Sequence, residues 1–274
     1  DFVYKNRDCL TLVVRQPHYC FMPHSKHFDG TSVQSISERI LQFNPKMIVI
    51  SGGEPLMCNG LNNLIKTFHA NGIKVCLATN GILLLSKFPD FNEYVDTLTL
   101  PIDSLSYKCF RNIKAIDSVL QILEHIRNTN SCCLKKPRLI INTVLYGQTF
   151  DELMSIAKFI TNYDVDVWKV FEYMHYKGVN ENRSPLTLRY DEIEKLKTTF
   201  NSGHLSYEDS ANKDSRYFIV NPDGRVVLPV NIGNNIFIDK ELGSISDDIS
   251  QIEGKWHQVV NSYNYKQSNL LLKV

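Results

Sequence analysis

An α/β architecture, a partial (βα)6 barrel with a C-terminal helix and β-hairpin extension, is what this sequence predicts. Three observations carry the expectation. Strand-like and helix-like segments alternate with regular spacing up to about residue 171. Several strand segments are nearly continuous apolar runs, as expected when helices cover a parallel sheet. The segments also end in polar groups: Ser51-Gly52-Gly53-Glu54-Pro55, Thr79-Asn80, Asp103-Ser104 and, within a later strand, Asn142. A barrel gathers such groups on one rim at its C-terminal strand ends, where barrel sites lie.

Each element has a local reason. Leu10–Val14 is a β-rich run, and Val33–Phe43 carries an apolar stripe at helical spacing. Met47–Ile50 is the second strand. Leu61–Ala70 is the next helix, stopped by Asn71-Gly72. Ile73–Ala78 and Thr97–Ile102 are the third and fourth strands, closed by Thr79-Asn80-Gly81 and Asp103-Ser104. Ile116–Ile126 is helical, Leu139–Leu145 a strand, Phe150–Ile160 a helix and Val165–Phe171 the sixth strand. Beyond Phe171 the pattern changes. A polar loop over Lys177–Ser184 leads to a helix at Tyr190–Phe200. Arg216–Val220 and Arg225–Leu228 then read as a hairpin around Asn221-Pro222-Asp223-Gly224. The expected organisation is a barrel over residues 1–175 and an extension over 176–274 that caps it.

Composition bounds the partners. A 43% hydrophobic and 22% charged chain is of soluble globular type. A net charge of +1 gives no reason to expect nucleic-acid binding. No apolar run approaches the roughly 20 residues of a membrane helix. Asp1 to Asp8 lack the basic and apolar regions of a signal peptide. Seven scattered cysteines, an odd number, argue against a disulfide framework, so a cytoplasmic location is expected.

The Ser51–Pro55 turn is the most specific motif. Gly52 and Gly53 have no Cβ, so backbone can approach a charged amino-acid end closely. Glu54 supplies a carboxylate for local hydrogen bonds, and Pro55 fixes φ. A strand ending in this way resembles the second strand of radical S-adenosylmethionine (SAM) enzymes. The resemblance implies that the segment holds the methionyl amine of SAM. It also implies a [4Fe–4S] cluster on three thiolates in a CxxxCxxC loop after the first strand. Here that loop is Arg15-Gln16-Pro17-His18-Tyr19-Cys20-Phe21. Cys20, followed by an aromatic, stands at the last ligand position, while Pro17 and Val13 occupy the other two. Cys9 is poorly placed to replace either. The loop after Asp103-Ser104 is shortened too, since Cys109-Phe110-Arg111-Asn112-Ile113 runs straight into a helix near Lys114. Two accounts fit: a member that has lost its cluster, or loop residues missing from this sequence. An intact mass compared with 31.5 kDa separates them.

Later segments are similar to the viperin-like, nucleotide-modifying branch. Ile141-Asn142-Thr143-Val144 with Phe150-Asp151-Glu152 resembles its fifth strand and following helix. Trp168-Lys169-Val170-Phe171 resembles its sixth strand, and Lys213-Asp214-Ser215 before Tyr217 the start of its hairpin. The resemblance implies CTP as substrate, with Lys169 and Asn142 facing its phosphates and Lys26 and Arg138 as further basic candidates. Val167 and Ile140 stand where basic residues are expected, so a different nucleotide is equally compatible. It further implies Cys20 as cluster ligand and Gly52, Gly53, Glu54 and Pro55 at the methionyl end. Thr79, Asn80, Asp103 and Ser104 would lie near the cofactor, and an external electron donor is needed. No residue is singled out for the catalytic step.

Bland alternatives stand beside these. Lys169 could pair with Glu172 or Asp103. Trp168 is expected to pack between barrel and helices. His18 and His24 lack the spacing of a closed zinc site. Cys132-Cys133 read as free thiols, and Tyr217 either covers the pocket or packs the hairpin. The rival functions are a cluster-less SAM- or nucleotide-binding protein and a peptide-acting radical enzyme.

Overall fold

The computed structural model describes residues 9–13, 30–105, 114–128, 136–178, 187–201, 203–209, 218–234 and 236–271. Six parallel strands run in chain order: β1 (Cys9–Val13), β2 (Met47–Ser51), β3 (Lys74–Ala78), β4 (Thr97–Pro101), β5 (Arg138–Leu145) and β6 (Val167–Glu172). Between them lie α1 (Gly30–Gln42), α2 (Leu61–Ala70), short α3 (Leu84–Lys87) and α4 (Phe91–Tyr94), α5 (Lys114–Asn128) and α6 (Phe150–Ile160). After β6 come β7 (His175–Tyr176), α7 (Tyr190–Thr199), β8 (His204–Glu208), β9 (Phe218–Val220), β10 (Arg225–Asn231), β11 (Ile236–Ser244) and α8 (Ile249–Leu271). The strands form one curled, 11-stranded half-barrel sheet in the order β7-β11-β10-β9-β1-β2-β3-β4-β5-β6-β8.

The expected six-stranded partial barrel is therefore present and is lengthened at both edges. β8 joins β6 as a further parallel strand, while β9 pairs parallel with β1 and turns into β10. The turn closes as expected, with the Asn221 amide donating to the Arg225 carbonyl at 2.9 Å. Among the described residues, no helix is long and apolar enough to cross a membrane.

Helix ends follow the sequence signals. Thr149 accepts from the Glu152 amide at 3.2 Å, and Glu152 accepts from the Thr149 amide at 2.7 Å, so a capping box starts α6. Gly72, at φ +73°, ends α2 while the Ile73 amide reaches the Phe68 carbonyl at 3.0 Å. Leu61, Leu64, Ile65 and Phe68 recur at helical spacing on α2 and are all buried. Each contributes roughly 1.5–3 kcal/mol by leaving water.

Alternation assigns the two faces of the sheet. Ile48 and Ile50, Val75 and Leu77, Leu98 and Leu100, Leu139 and Ile141, Trp168 and Val170, and Leu205 all lie in the main core beneath the helices. Their neighbours in sequence project to the concave face. At the N-terminal strand ends, Asp96 accepts from the Val75 amide at 2.8 Å and Asp166 from the Leu139 amide at 2.7 Å. Those carboxylates tie strand to strand and leave the opposite rim for chemistry.

Candidate functional site

Glu54 organises the rim where β2 and β3 end. It is 5% exposed, and its Oε1 accepts from the Leu56 amide at 3.1 Å and the Thr79 hydroxyl at 2.7 Å. Its Oε2 accepts from the Asn80 amide at 2.8 Å. Thr79 in turn accepts from the Gly81 amide at 3.1 Å, and the Asn80 side chain accepts from the Ile82 amide at 2.9 Å. Both Glu54 oxygens are thus occupied by the chain itself, which makes the residue a brace for the turn. Burial pushes the Glu54 carboxyl above its ordinary range, against the opposing pull of these hydrogen bonds. Buried Pro55 opens a single 3-10 turn that Glu54 caps. Gly52, at φ +136°, lies in the region glycine favours, and Gly52 and Gly53 remain half-buried. Their backbone is the accessible part of the turn.

The next rim segment joins β4 to β5. Asp103 is buried and accepts from the Val144 amide at 2.8 Å. Gln148 donates to the Asp103 and Val144 carbonyls at 3.0 and 2.8 Å, locking the two strand ends together. Ser104 follows, half-buried. Thr79, Asn80, Asp103 and Ser104 therefore lie at successive strand ends, with Thr79 and Asn80 bonded to Glu54.

Lys169 and Asn142 are direct neighbours in the β5–β6 register, and Pro101 and Ser206 continue their row. All are on the concave face, because Ile141, Trp168 and Leu205 point the other way into the core. The Asn142 Oδ1 atom is shielded and has no hydrogen-bond partner among the described residues. Among the described residues no ion pair involves Lys169. Glu172, one of the carboxylates with which it could pair, is bonded by the Tyr207 hydroxyl at 2.6 Å on the helix-facing side. Trp168 packs as expected: it is fully buried, donates to Thr143 at 2.9 Å and meets the Phe200 ring edge-on. Ile140 and Val167 are buried register neighbours on either side of the β5–β6 seam. Arg138 opens β5 at the end away from the rim and is exposed, in keeping with a solvated charge.

Cys20, Lys26 and Tyr217 lie outside the described residues, as do His18, His24, Cys132 and Cys133. Among the described residues no three histidine, cysteine or acidic groups converge as a metal site. Burial pushes the thiols of Cys58 and Cys76 up, and Cys76 sits 3.6 Å from the Thr99 hydroxyl as a protonated concave-face group. A donor set for an iron–sulfur cluster is thus not formed by the described residues. The Ser51–Pro55 turn leaves the Gly52–Gly53 backbone half-buried and without a Cβ in the way, the kind of surface a charged amino-acid end needs.

Sequence reasoning missed Gln148, Ser206 and Glu208. The alternation of Leu205 and Tyr207 against Ser206 and Glu208 was the available signal for the last two.

Comparison with known proteins agrees with this geometry. The sequence profile of the Radical SAM superfamily matches residues 18–160, more than half of the 274-residue chain. The S-adenosyl-L-methionine-dependent tRNA 4-demethylwyosine synthase of Methanocaldococcus jannaschii is 29% identical over 192 residues, 68% of this chain and 58% of that protein. An S-adenosylmethionine-dependent nucleotide dehydratase of Flammeovirga pacifica is 26% identical over 224 residues, 78% of this chain and 74% of that protein. Streptococcus suis SuiB bound to S-adenosylmethionine has the same fold, with a TM-score of 0.65 at 14% identity over 89% of this chain and 65% of SuiB. The chain thus spans less than two thirds of the length of the first and third of these proteins. With the profile, the strand order and the rim motif in agreement, the chain belongs to the radical SAM superfamily of enzymes.

Proposed function

We propose that this protein binds SAM at the Ser51–Pro55 rim and uses it in radical chemistry on a nucleotide held against the concave face. The observation that carries the nucleotide is the Asn142–Lys169 pair: a polar atom without a partner beside a cation with no ion pair among the described residues. Such a pair offers a charge-assisted contact to phosphate, worth about 1.5–3 kcal/mol. The Flammeovirga pacifica relative, a nucleotide dehydratase, supports the same class of substrate. Conversion of CTP to its 3′-deoxy-3′,4′-didehydro form is the most specific version of this reading.

A bound SAM, together with a [4Fe–4S] cluster for which Cys20 is the candidate ligand, would supply hydrogen-atom abstraction once an external donor provides an electron. The chain's own residues perform the rest. Gly52 and Gly53 present backbone to the methionyl end, and Glu54 fixes that turn against Thr79 and Asn80. Asp103 and Gln148 hold the adjoining strand ends in place. Lys169 and Asn142 orient phosphate.

A second reading, a cluster-less binding protein, draws on the single thiolate, Cys20, in the first-strand loop. Anaerobic iron–sulfur reconstitution separates the two. Visible absorbance from a bound cluster and 5′-deoxyadenosine release under reductant are expected for the enzyme. Their joint absence removes it and leaves the binding protein.

A further inference from the structure

Strand β8 extends the barrel beyond its sixth strand and brings two polar side chains to the concave face. Ser206 pairs in register with Lys169, and Glu208 with Phe171. Leu205 is buried in the helix-facing core, and Tyr207 bonds Glu172 on that same side, so Ser206 and Glu208 project into the concavity. The Ser206 hydroxyl donates to Glu208 Oε1 at 2.7 Å. That bond fixes the carboxylate and leaves its second oxygen with no partner among the described residues. Because β6 and β8 run parallel, Glu208 lies about 7 Å nearer the rim than the Lys169–Ser206 row, and one strand spacing of about 4.8 Å to the side.

A carboxylate so close to a phosphate-binding lysine would repel phosphate itself, so it must meet a different part of the ligand. We propose that Glu208, positioned by Ser206, accepts hydrogen bonds from the ribose hydroxyls of the nucleotide whose phosphates lie at Lys169. This rests on the nucleotide reading above and adds a specificity element to it. The offset from Lys169 towards the rim is of the order that separates phosphate from ribose in a nucleotide. Carboxylates suit a diol because each oxygen accepts from an O–H, and such charged hydrogen bonds are the stronger kind.

The test is calorimetric titration of the full-length protein with CTP, GTP and their 2′-deoxy and 3′-deoxy analogues. Glu208→Gln and Ser206→Ala are compared with wild type after circular dichroism confirms folding. Wild type is expected to prefer ribonucleotide over deoxy analogue by roughly tenfold or more, the scale of one charged hydrogen bond. Glu208→Gln should bring that ratio close to one, and Ser206→Ala should fall between. Lys169→Ala should weaken ribo- and deoxynucleotides alike. Nucleotide binding with an unchanged ribose preference in Glu208→Gln overturns the Glu208 assignment and leaves the nucleotide reading standing. No nucleotide binding by wild type overturns both.

Discussion

Removing the Glu54 carboxylate should loosen the cofactor rim by an amount the structure sets. Glu54→Ala leaves the Leu56 amide, the Thr79 hydroxyl and the Asn80 amide without their acceptor. Thr79 is 5% exposed, so its hydroxyl cannot turn to water, whereas Asn80 is half-buried and recovers part of its loss. A buried polar group deprived of its partner costs about 1–3 kcal/mol. Weighing full losses at Thr79 and at Leu56, itself 3% exposed, with a partial one at Asn80 gives about 2–7 kcal/mol for alanine. Glutamine keeps an acceptor for Leu56 and Thr79 but turns an amino group against the Asn80 amide, for about 1–2 kcal/mol. Relief from burying a charge keeps that figure small, since burial already outweighs the hydrogen bonds in setting Glu54's titration. Urea denaturation at pH 7 reads both values, and SAM affinity should fall in the same order. Protonation of Glu54 favours the fold because the folded group titrates above its ordinary 4.5. Wild type therefore loses this contribution as pH rises from about 4.5 through the raised value, and Glu54→Gln should lack that step. Glu54→Ala unfolding within about 0.5 kcal/mol of wild type, with unchanged SAM affinity, would refute the bracing role.

Three other positions give independent checks. Burial pushes Asp239 up to about 6, so its contribution is complete below its ordinary 3.8 and lost as pH rises through about 6. Stability of Asp239→Asn should vary less than wild type between those limits, read by denaturant midpoints across pH. A Cβ at Gly203 would lie 2.3 Å from the Val165 carbonyl oxygen, which is backbone and cannot yield. Gly203→Ala should cost about 2 kcal/mol or more and lower the melting temperature by pushing β8 from β6. Trp168→Phe removes the 2.9 Å bond to Thr143 while keeping the ring contact with Phe200, and should cost about 1–3 kcal/mol in urea.

The barrel was legible because its strands are buried and its helices are punctuated. α2 ends where Asn71-Gly72 places its stop, and α6 spans the Phe150–Ile160 read from the sequence. β2, β3 and β4 read as apolar runs because helices cover one face and the other is closely lined. β8 escaped notice because only Leu205 of its five residues is buried, as an edge strand permits. β11 carries Asp239, Lys240 and Glu241 in its middle and resembles a loop in composition. The rim was legible as a set of strand ends, but its internal bonding was not. Nothing in the order of residues tells that Glu54 reaches Thr79 and Asn80, a pairing made only when β2 and β3 align. That Asn142 Oδ1 finds no partner among the described residues likewise depends on what packing leaves around β5 and β6.

The most direct test of the central claim follows hydrogen from substrate to cofactor. Reconstituted protein is incubated anaerobically with SAM, reductant and ribose-deuterated nucleotides, and 5′-deoxyadenosine is analysed by mass spectrometry. The account predicts deuterium in the released 5′-deoxyadenosine with at least one nucleotide, and at least tenfold less of it from Lys169→Ala at limiting nucleotide. Unlabelled 5′-deoxyadenosine across the whole nucleotide panel, or equal labelling by Lys169→Ala, would contradict it.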